Sequence, residues 1–277
     1  MKELYDLTCG KTSKVFIRSY STSFSYASRV MNKSIRRHVF NIYAFVRLAD
    51  EIVDTFIDFP QSQLLDRFEE DLRFALKEKI SANPILQAFQ DTYHQFNIEK
   101  ELVFAFLNSM RYDLLNDGCD TEEKLNNYVW GSANVVGLMC LKVFTQGNQE
   151  EYEKLKDTAI ALGSAFQKVN FLRDFKDDLY GRKRNYFPIL HHRKLDETSK
   201  LEIIKEIDKE FKEAYQGIMK LPKEAKIGVY IAYQYYKRLL RKLKRSSVKK
   251  IKESRIRVSN REKLWVICES YLKLTFN

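Results

Sequence analysis

From Ser34 to Thr55 the apolar residues Ile35, Val39, Ile42, Tyr43 and Val46 recur every three or four positions, and Ser34 stands where it can cap the first turn. That spacing predicts a helix over 34–55. Leu64, Leu65, Phe68, Leu72 and Leu76 predict a second over 61–80, stopped before Pro84. Similar patterns predict helices over 84–96, 99–116, 121–146, 150–180, 198–219 and 223–246. No glycine occurs between Gly10 and Gly118, and the only prolines between them are Pro60 and Pro84. The turns of a β-rich fold would demand more of both, so the expected fold is all-α. No internal repeat, low-complexity linker or composition break divides the chain. The expected organisation is therefore one domain over 1–277, with eight or more helices around a single core.

Composition narrows this picture. Hydrophobic residues make up 44% of the chain, enough for a substantial core. Cys9, Cys119, Cys140 and Cys268 show no CxxC or Cys/His ligand spacing, which argues against a disulfide framework or a structural zinc site. The N-terminus lacks the apolar core of a signal peptide and no apolar run reaches membrane-spanning length, so a cytoplasmic protein is expected. The net charge of +11 is unevenly placed. From Lys220 onward 17 Lys and Arg face 4 Glu, leaving about −2 over the first 219 residues. Nucleic acid, anionic lipid headgroups and a diphosphate substrate all match that basic segment on charge alone, and so does an ordinary solvated helical face.

Two acidic clusters carry the candidate chemistry: Asp50-Glu51-Ile52-Val53-Asp54 and Asp174-Phe175-Lys176-Asp177-Asp178. Each sets two aspartates four residues apart on one helical face, at 50/54 and 174/178, where like charges repel unless solvent screens them or a cation sits between them. Carboxylate oxygens are what Mg2+ prefers, and two such pairs suggest a Mg2+-bound polyphosphate. Tyr43, Arg47, Asp50 and Asp54 share one stripe, although Arg47 could equally serve as a structural partner of Asp50 or Glu51. Gln167, Asn170, Asp174 and Asp178 form a second stripe. A plain exposed face would mix Lys and Glu freely rather than set amides beside aspartates. Beyond it, Gly181-Arg182-Lys183-Arg184-Asn185 is a cationic loop suited to closing over a phosphate.

These residues resemble the squalene/phytoene synthase family. The resemblance runs through Ser21-Thr22-Ser23-Phe24-Ser25, Tyr43-Ala44-Phe45-Val46-Arg47-Leu48-Ala49-Asp50-Glu51-Ile52-Val53-Asp54, Tyr128-Val129-Trp130-Gly131-Ser132-Ala133-Asn134-Val135-Val136-Gly137, and Ala161-Leu162-Gly163 through Gln167, Asn170, Arg173, Asp174 and Asp178 to Tyr186-Phe187-Pro188. Three departures stand out. Asp50-Glu51 replaces the usual pair of aspartates, Ser132-Ala133-Asn134 replaces Val-Ala-Gly, and Tyr20 stands where relatives carry a basic residue or His. Asn tolerates left-handed backbone, so a bend at 134 is expected to survive the loss of Gly.

The resemblance implies a helical isoprenoid synthase bundle with a central active-site cavity, joining two allylic prenyl diphosphates head to head. Asp50, Asp54, Asn170, Asp174 and Asp178 would hold Mg2+, with Mn2+ as a substitute. Ser21, Ser23, Tyr43, Arg47, Gln167, Arg173, Tyr236 and Arg255 match positions that contact diphosphate or the metal shell, and Tyr128 matches one near the reacting carbons. The expected reaction converts two geranylgeranyl diphosphates through a cyclopropylcarbinyl diphosphate to phytoene, the first committed step of carotenoid biosynthesis, without NADPH. Two farnesyl diphosphates giving squalene or dehydrosqualene are the alternative. Expected partners are prenyl diphosphates, an anionic membrane surface met peripherally on its inner face, and neighbouring carotenoid enzymes, with no nucleic acid. A basic helical protein that binds nucleic acid or membranes without catalysis remains the non-enzymatic alternative.

Overall fold

Helix begins well before the first segment that the hydrophobic spacing predicts. The computed structural model describes residues 1–115 and 118–275, and these open with α1 (Lys2–Tyr20) and α2 (Thr22–Arg29). In α1 only Cys9, Ser13 and Ile17 are buried, while Leu4, Leu7 and Val15 face outward. Its inward stripe is thus small and partly polar, which hides the helix from a hydrophobic reading. Ser21 ends α1 in extended backbone and caps α2, its Oγ accepting from the Phe24 N–H at 3.2 Å.

The predicted helices follow as α3 (Lys33–Asp54), α4 (Gln61–Glu78), α5 (Pro84–Gln95), α6 (Lys100–Leu115), α7 (Glu122–Val129), α8 (Val135–Phe144), α9 (Gln149–Lys176), α11 (Glu197–Lys220) and α12 (Lys223–Arg245), and three short or terminal helices that the spacing did not predict join them: α10 (Ile189–His192), α13 (Val248–Glu253) and α14 (Asn260–Thr275). The helix expected over 99–116 reaches Leu115, and position 116 lies outside the described residues. The stretch expected as one helix over 121–146 is α7 and α8 joined by a wide π turn, Trp130–Asn134. Another π turn, Asp177–Gly181, continues α9. Asn134 corrects one expectation: it is right-handed, with φ −66° and ψ −45°, and makes no left-handed bend. The widened turn does the bending instead.

Glycine is scarce even where helices stop. Lys79, Asn97 and Gln146 take left-handed backbone with φ of 58°, 50° and 51° at or just beyond helix ends, a conformation that side chains adopt at some cost.

A continuous set of buried apolar side chains joins α3 to α12. Phe45 of α3 stacks on Phe89 of α5 with ring centroids 4.0 Å apart and lies 5.7 Å from Phe68 of α4, tying three helices together. α9 packs along α11, and the two approach so closely that a Cβ on Gly217 would stand 1.8 Å from Thr158 Oγ1. Buried Lys168 pins the same pair through Glu206 and Glu210. Around this core, α1 lies on α3 and α5, and α12 lies on α2, α11 and α14. No helix among the described residues is long and apolar enough to cross a membrane.

Candidate active site

The two acidic stripes meet across one cavity of about 570 Å3. On the α3 side, helical periodicity aims Tyr43, Arg47, Asp50 and Asp54 into it. Arg47 Nη1 lies 3.7 Å from Asp50 Oδ2, while its Nη2 donates to Glu51. Glu51 is buried and absent from the cavity wall. The departure from two aspartates therefore neither deepens the wall nor faces solvent: the longer side chain holds Arg47. Tyr20 contributes to the same end, with the Arg47 guanidinium 4.6 Å from its ring centroid. Among the described residues Arg47 Nε is buried without a hydrogen-bond acceptor, a spare donor beside the cavity.

On the opposite side, α9 presents Gln167, Asn170, Arg173 and Asp174, and the π turn after it presents Asp177 and Asp178. Arg173 Nε donates to Asp174 Oδ1 at 2.9 Å. Arg255 reaches in from the segment after α13, with Nε 2.7 Å from the same oxygen. The Tyr236 hydroxyl of α12 donates to Asn170 Oδ1 at 3.1 Å. The π turn of α7–α8 adds Ser132, whose Oγ accepts from Gln167 Nε2 at 3.4 Å. Both widened turns thus border the cavity, a common placement for such irregularities.

The cationic loop turns inward and closes the polar end. Arg182 bridges the two walls, its Nη2 3.4 Å from Asp54 Oδ2 and its Nη1 3.1 Å from Asp178 Oδ1. Arg184 Nη1 donates to Asp54 Oδ1 at 3.1 Å and its Nη2 to the backbone oxygen of Asp113 at 2.7 Å. The loop is anchored where Cys119 N donates to Asn185 O at 2.8 Å. Gly118 makes that approach possible: its φ is +115°, and a Cβ there would lie 2.1 Å from the same oxygen.

Asp113 of α6 sits at the centre of an unpredicted buried network. The Tyr128 hydroxyl donates to its Oδ2 at 2.6 Å and the Tyr186 hydroxyl to its Oδ1 at 3.1 Å. The rings of Tyr128, Tyr186 and Phe171 stack in series, with centroids 5.0 and 4.2 Å apart. Burial pushes both phenols far above their ordinary range, so Tyr128 stays protonated. Below the polar stripes, Phe24 and Phe166 join Tyr43 and Tyr236 in an aromatic collar, and Phe166 stacks on Tyr236 at 4.0 Å. Past the collar the wall is mainly apolar, with Val136, Cys140, Phe144, Leu155, Leu162 and Ile218.

The carboxylates carry the electrostatic cost of this arrangement. Desolvation, then the neighbouring Asp54, pushes Asp50 up to about 7 against the opposing pull of Arg47. Desolvation and Asp174 push Asp178 to about 7, and desolvation pushes Asp113 to about 6. The donor set of hard carboxylates and one amide suits Mg2+ and excludes a thiolate or imidazole metal site. Among the described residues no three of His, Cys, Asp and Glu form a ready-made cage. Paired carboxylates with unmet negative charge fit Mg2+ that takes the rest of its shell from phosphate and water.

Of the residues that the sequence singled out, Tyr43, Arg47, Asp50, Asp54, Tyr128, Gln167, Asn170, Arg173, Asp174, Asp178, Tyr236 and Arg255 line this cavity. Ser21 and Ser23 do not. Ser21 caps α2 and hydrogen-bonds Tyr43, and Ser23 stands off the wall on α2. Asp113, Phe24, Phe166 and Ser132 went unrecognised. The signal for Asp113 was an aspartate set among the apolar inward positions Val103, Phe106, Leu107 and Met110 of α6.

Comparison with known proteins agrees with this geometry. The family model described as squalene/phytoene synthase matches residues 17–262. The chain is 28% identical over 173 residues to 4,4'-diapophytoene synthase of Staphylococcus haemolyticus, a match covering 62% of the chain and 59% of that protein, less than two thirds of its length. It is 28% identical over 257 residues to the phytoene synthase of Arthrospira platensis, covering 82% and 81%. A crystal structure of a dehydrosqualene synthase in complex with ligand superposes with a TM-score of 0.81 over 98% of each chain at 22% identity, a likeness of fold.

Proposed function

Because the chain belongs to the squalene/phytoene synthase family, we propose that it joins two geranylgeranyl diphosphates head to head, through a cyclopropylcarbinyl diphosphate, to give phytoene. One observation carries this reading: a single cavity has two opposed aspartate pairs and five arginines, Arg47, Arg173, Arg182, Arg184 and Arg255, at one end, and an aromatic and aliphatic chamber at the other. Diphosphate belongs at the first end and prenyl chains at the second.

The arginines would take the diphosphate oxygens, Arg47 with its spare Nε among them. Asp50, Asp54, Asn170, Asp174 and Asp178 would hold Mg2+, or Mn2+ in its place, which supplies neutralisation of the leaving diphosphate when bound. Breaking the C1–O bond of one substrate gives an allylic cation, and the double bond of the other attacks C1, losing a proton as the cyclopropane closes. Departure of the second diphosphate and rearrangement give the 1,1'-linked chain, and loss of a proton sets its central double bond. That last step needs no reductant, so no NADPH is required. Tyr128 lines the chamber with its proton directed at Asp113, which leaves its ring and oxygen lone pairs toward the cation. The collar of Phe24, Phe166 and Tyr236 keeps water from it.

Farnesyl diphosphate is the competing substrate, and the names of the relatives favour neither length. Incubation with Mg2+ and either the C15 or the C20 diphosphate, with and without NADPH, decides the matter. A C40 hydrocarbon formed without reductant is expected. A C30 product would overturn the chain length and keep the chemistry, and no hydrocarbon from either would overturn the reading. Water-insoluble chains also call for contact with an anionic membrane surface, which the basic charge of the chain favours.

A further inference from the structure

A second cavity, about 710 Å3, opens between α1, α2, α3 and α5 and shares no wall residue with the first. One end of it is basic. Lys11, Lys14 and Arg18 of α1 face Arg29 of α2 and Lys33, Arg36 and Arg37 of α3. Among the described residues none of these seven cations forms an ion pair. Two are turned to neutral acceptors: Arg36 Nη1 donates to Arg29 O at 2.7 Å, and Arg37 Nε donates to His38 Nε2 at 2.9 Å. Three carboxylates also line the groove, Glu3 and Asp6 of α1 and Asp91 of α5; Lys2 and Gln87 engage Asp6, and Gln87 and Gln90 engage Asp91. So many uncompensated cations around one concavity call for an anion.

The groove also contains an unanswered acceptor. Since His38 accepts from Arg37 at Nε2, its Nδ1 carries the proton and donates to Thr92 Oγ1 at 2.9 Å. Thr92 Oγ1 accepts also from Asn41 Nδ2 at 3.0 Å and donates to Ala88 O at 3.2 Å. Among the described residues the network is complete except at Asn41 Oδ1, a buried oxygen with no hydrogen-bond partner on a residue only 5% exposed. A ligand hydroxyl is what it lacks.

The outer face of α1 indicates where such a ligand comes from. Leu4, Leu7 and Val15 are 59%, 61% and 60% exposed. With Lys11, Lys14 and Arg18 they fall within an arc of about 100° on the helix, and no carboxylate shares it. Exposed aliphatic residues interleaved with cations make the face of a helix that lies on a bilayer, its apolar side chains at the acyl boundary and its cations among phosphates.

We propose that this groove is a headgroup site for an anionic phospholipid. Its phosphate meets Lys11, Lys14 and Arg18, a headgroup hydroxyl donates to Asn41 Oδ1, and Leu4, Leu7 and Val15 enter the membrane surface. This deepens the proposed membrane partner by assigning the place of contact, and rests on that reading; it does not depend on the condensation reaction.

Co-sedimentation of the full chain with vesicles at 0.15 M salt tests it. Phosphatidylglycerol vesicles are expected to bind at least threefold more tightly than vesicles of phosphatidylmethanol, which has equal charge and no hydroxyl, and phosphatidylcholine is expected not to bind. Lys11→Glu/Lys14→Glu lowers binding to phosphatidylglycerol at least tenfold, while Lys244→Glu/Lys250→Glu, an equal charge change on exposed positions elsewhere, leaves most of it. Asn41→Leu removes the preference for the hydroxyl. Equal losses in the two charge variants, or none in the first, would overturn the site. So would a thermal shift with free glycerol 3-phosphate without vesicle preference, or a loss confined to RNA binding. Turnover of detergent-dispersed substrate by Lys11→Glu/Lys14→Glu is expected to match the parent. Absence of turnover in the parent itself, with vesicle binding intact, strikes the catalytic reading and leaves this one standing.

Discussion

At Asp50 a carboxylate is held on a cavity wall beside Asp54, where desolvation lifts it to about 7, and Asp178 is lifted as far on the facing wall. The sign of the resulting pH dependence follows directly. Folding raises both groups above the ordinary aspartate value of 3.8, so the native state holds protons that the unfolded chain has released. Their contribution to stability is full below pH 3.8 and is lost as pH rises through about 7. Asp50→Asn should therefore raise the melting temperature of the metal-free protein most at pH 8, less at pH 5 and hardly at all below pH 3.8, and cut Mg2+-dependent turnover at least about 100-fold. Calorimetry at these pH values, paired with product assay, checks this, and a lower melting temperature at pH 8 would contradict it. Mg2+ should raise the melting temperature more at pH 8 than at pH 6, since at the lower pH it must displace protons. Glu51 acts through Arg47. Glu51→Gln should leave the fold intact and raise KM for the diphosphate more than it lowers kcat, because the loosened guanidinium binds ground and transition states alike.

The helices themselves decide how much of this could be read ahead. α3 and α9 were legible because their burial follows apolar spacing and their carboxylates recur at intervals of three or four. α1 was not, because Cys9, Ser13 and Ile17 make its inward stripe while its leucines point out. The π turns were missed for a different reason: Trp130–Asn134 and Asp177–Gly181 differ from α-helix by a single extra residue per turn, and a periodic reading passes over that. The loop after Gly181 was expected to close over phosphate, but its anchor joins residues far apart in sequence. Gly118→Ala tests the anchor. Positive φ and the 2.1 Å approach to Asn185 O oppose a methyl group there, so a loss of about 1–3 kcal/mol is expected. Since Arg182 and Arg184 hang from this loop, kcat/KM should fall further than a remote variant of equal stability loss, such as one at Gly217, would show.

Over the whole molecule, charge and apolar surface are sorted along one axis of the cavity. Aspartates, arginines and amides occupy the end reached by the loop, the ring collar of Phe24, Phe166 and Tyr236 follows, and aliphatic side chains line the remainder. The two acidic motifs foretold the first end. Nothing in the sequence foretold the depth of the second, because it is set by how α2, α8, α9, α11 and α12 pack and not by a local pattern. If prenyl chains occupy that far end, as proposed, chain length is read there. A C20 substrate has five more carbons than a C15 substrate, and at about 0.8 kcal/mol per buried methylene their full burial is worth up to about 4 kcal/mol. Cys140 of α8 lines the apolar chamber, so Cys140→Phe places a ring in that space without touching the polar end. If the chamber holds the terminal isoprene unit, the ring removes part of that burial and adds steric opposition. The kcat/KM for the C20 diphosphate should then fall at least about tenfold more than for the C15 diphosphate, with Mg2+-dependent binding of inorganic diphosphate unchanged. Equal losses for both chain lengths would show that the terminal unit lies elsewhere.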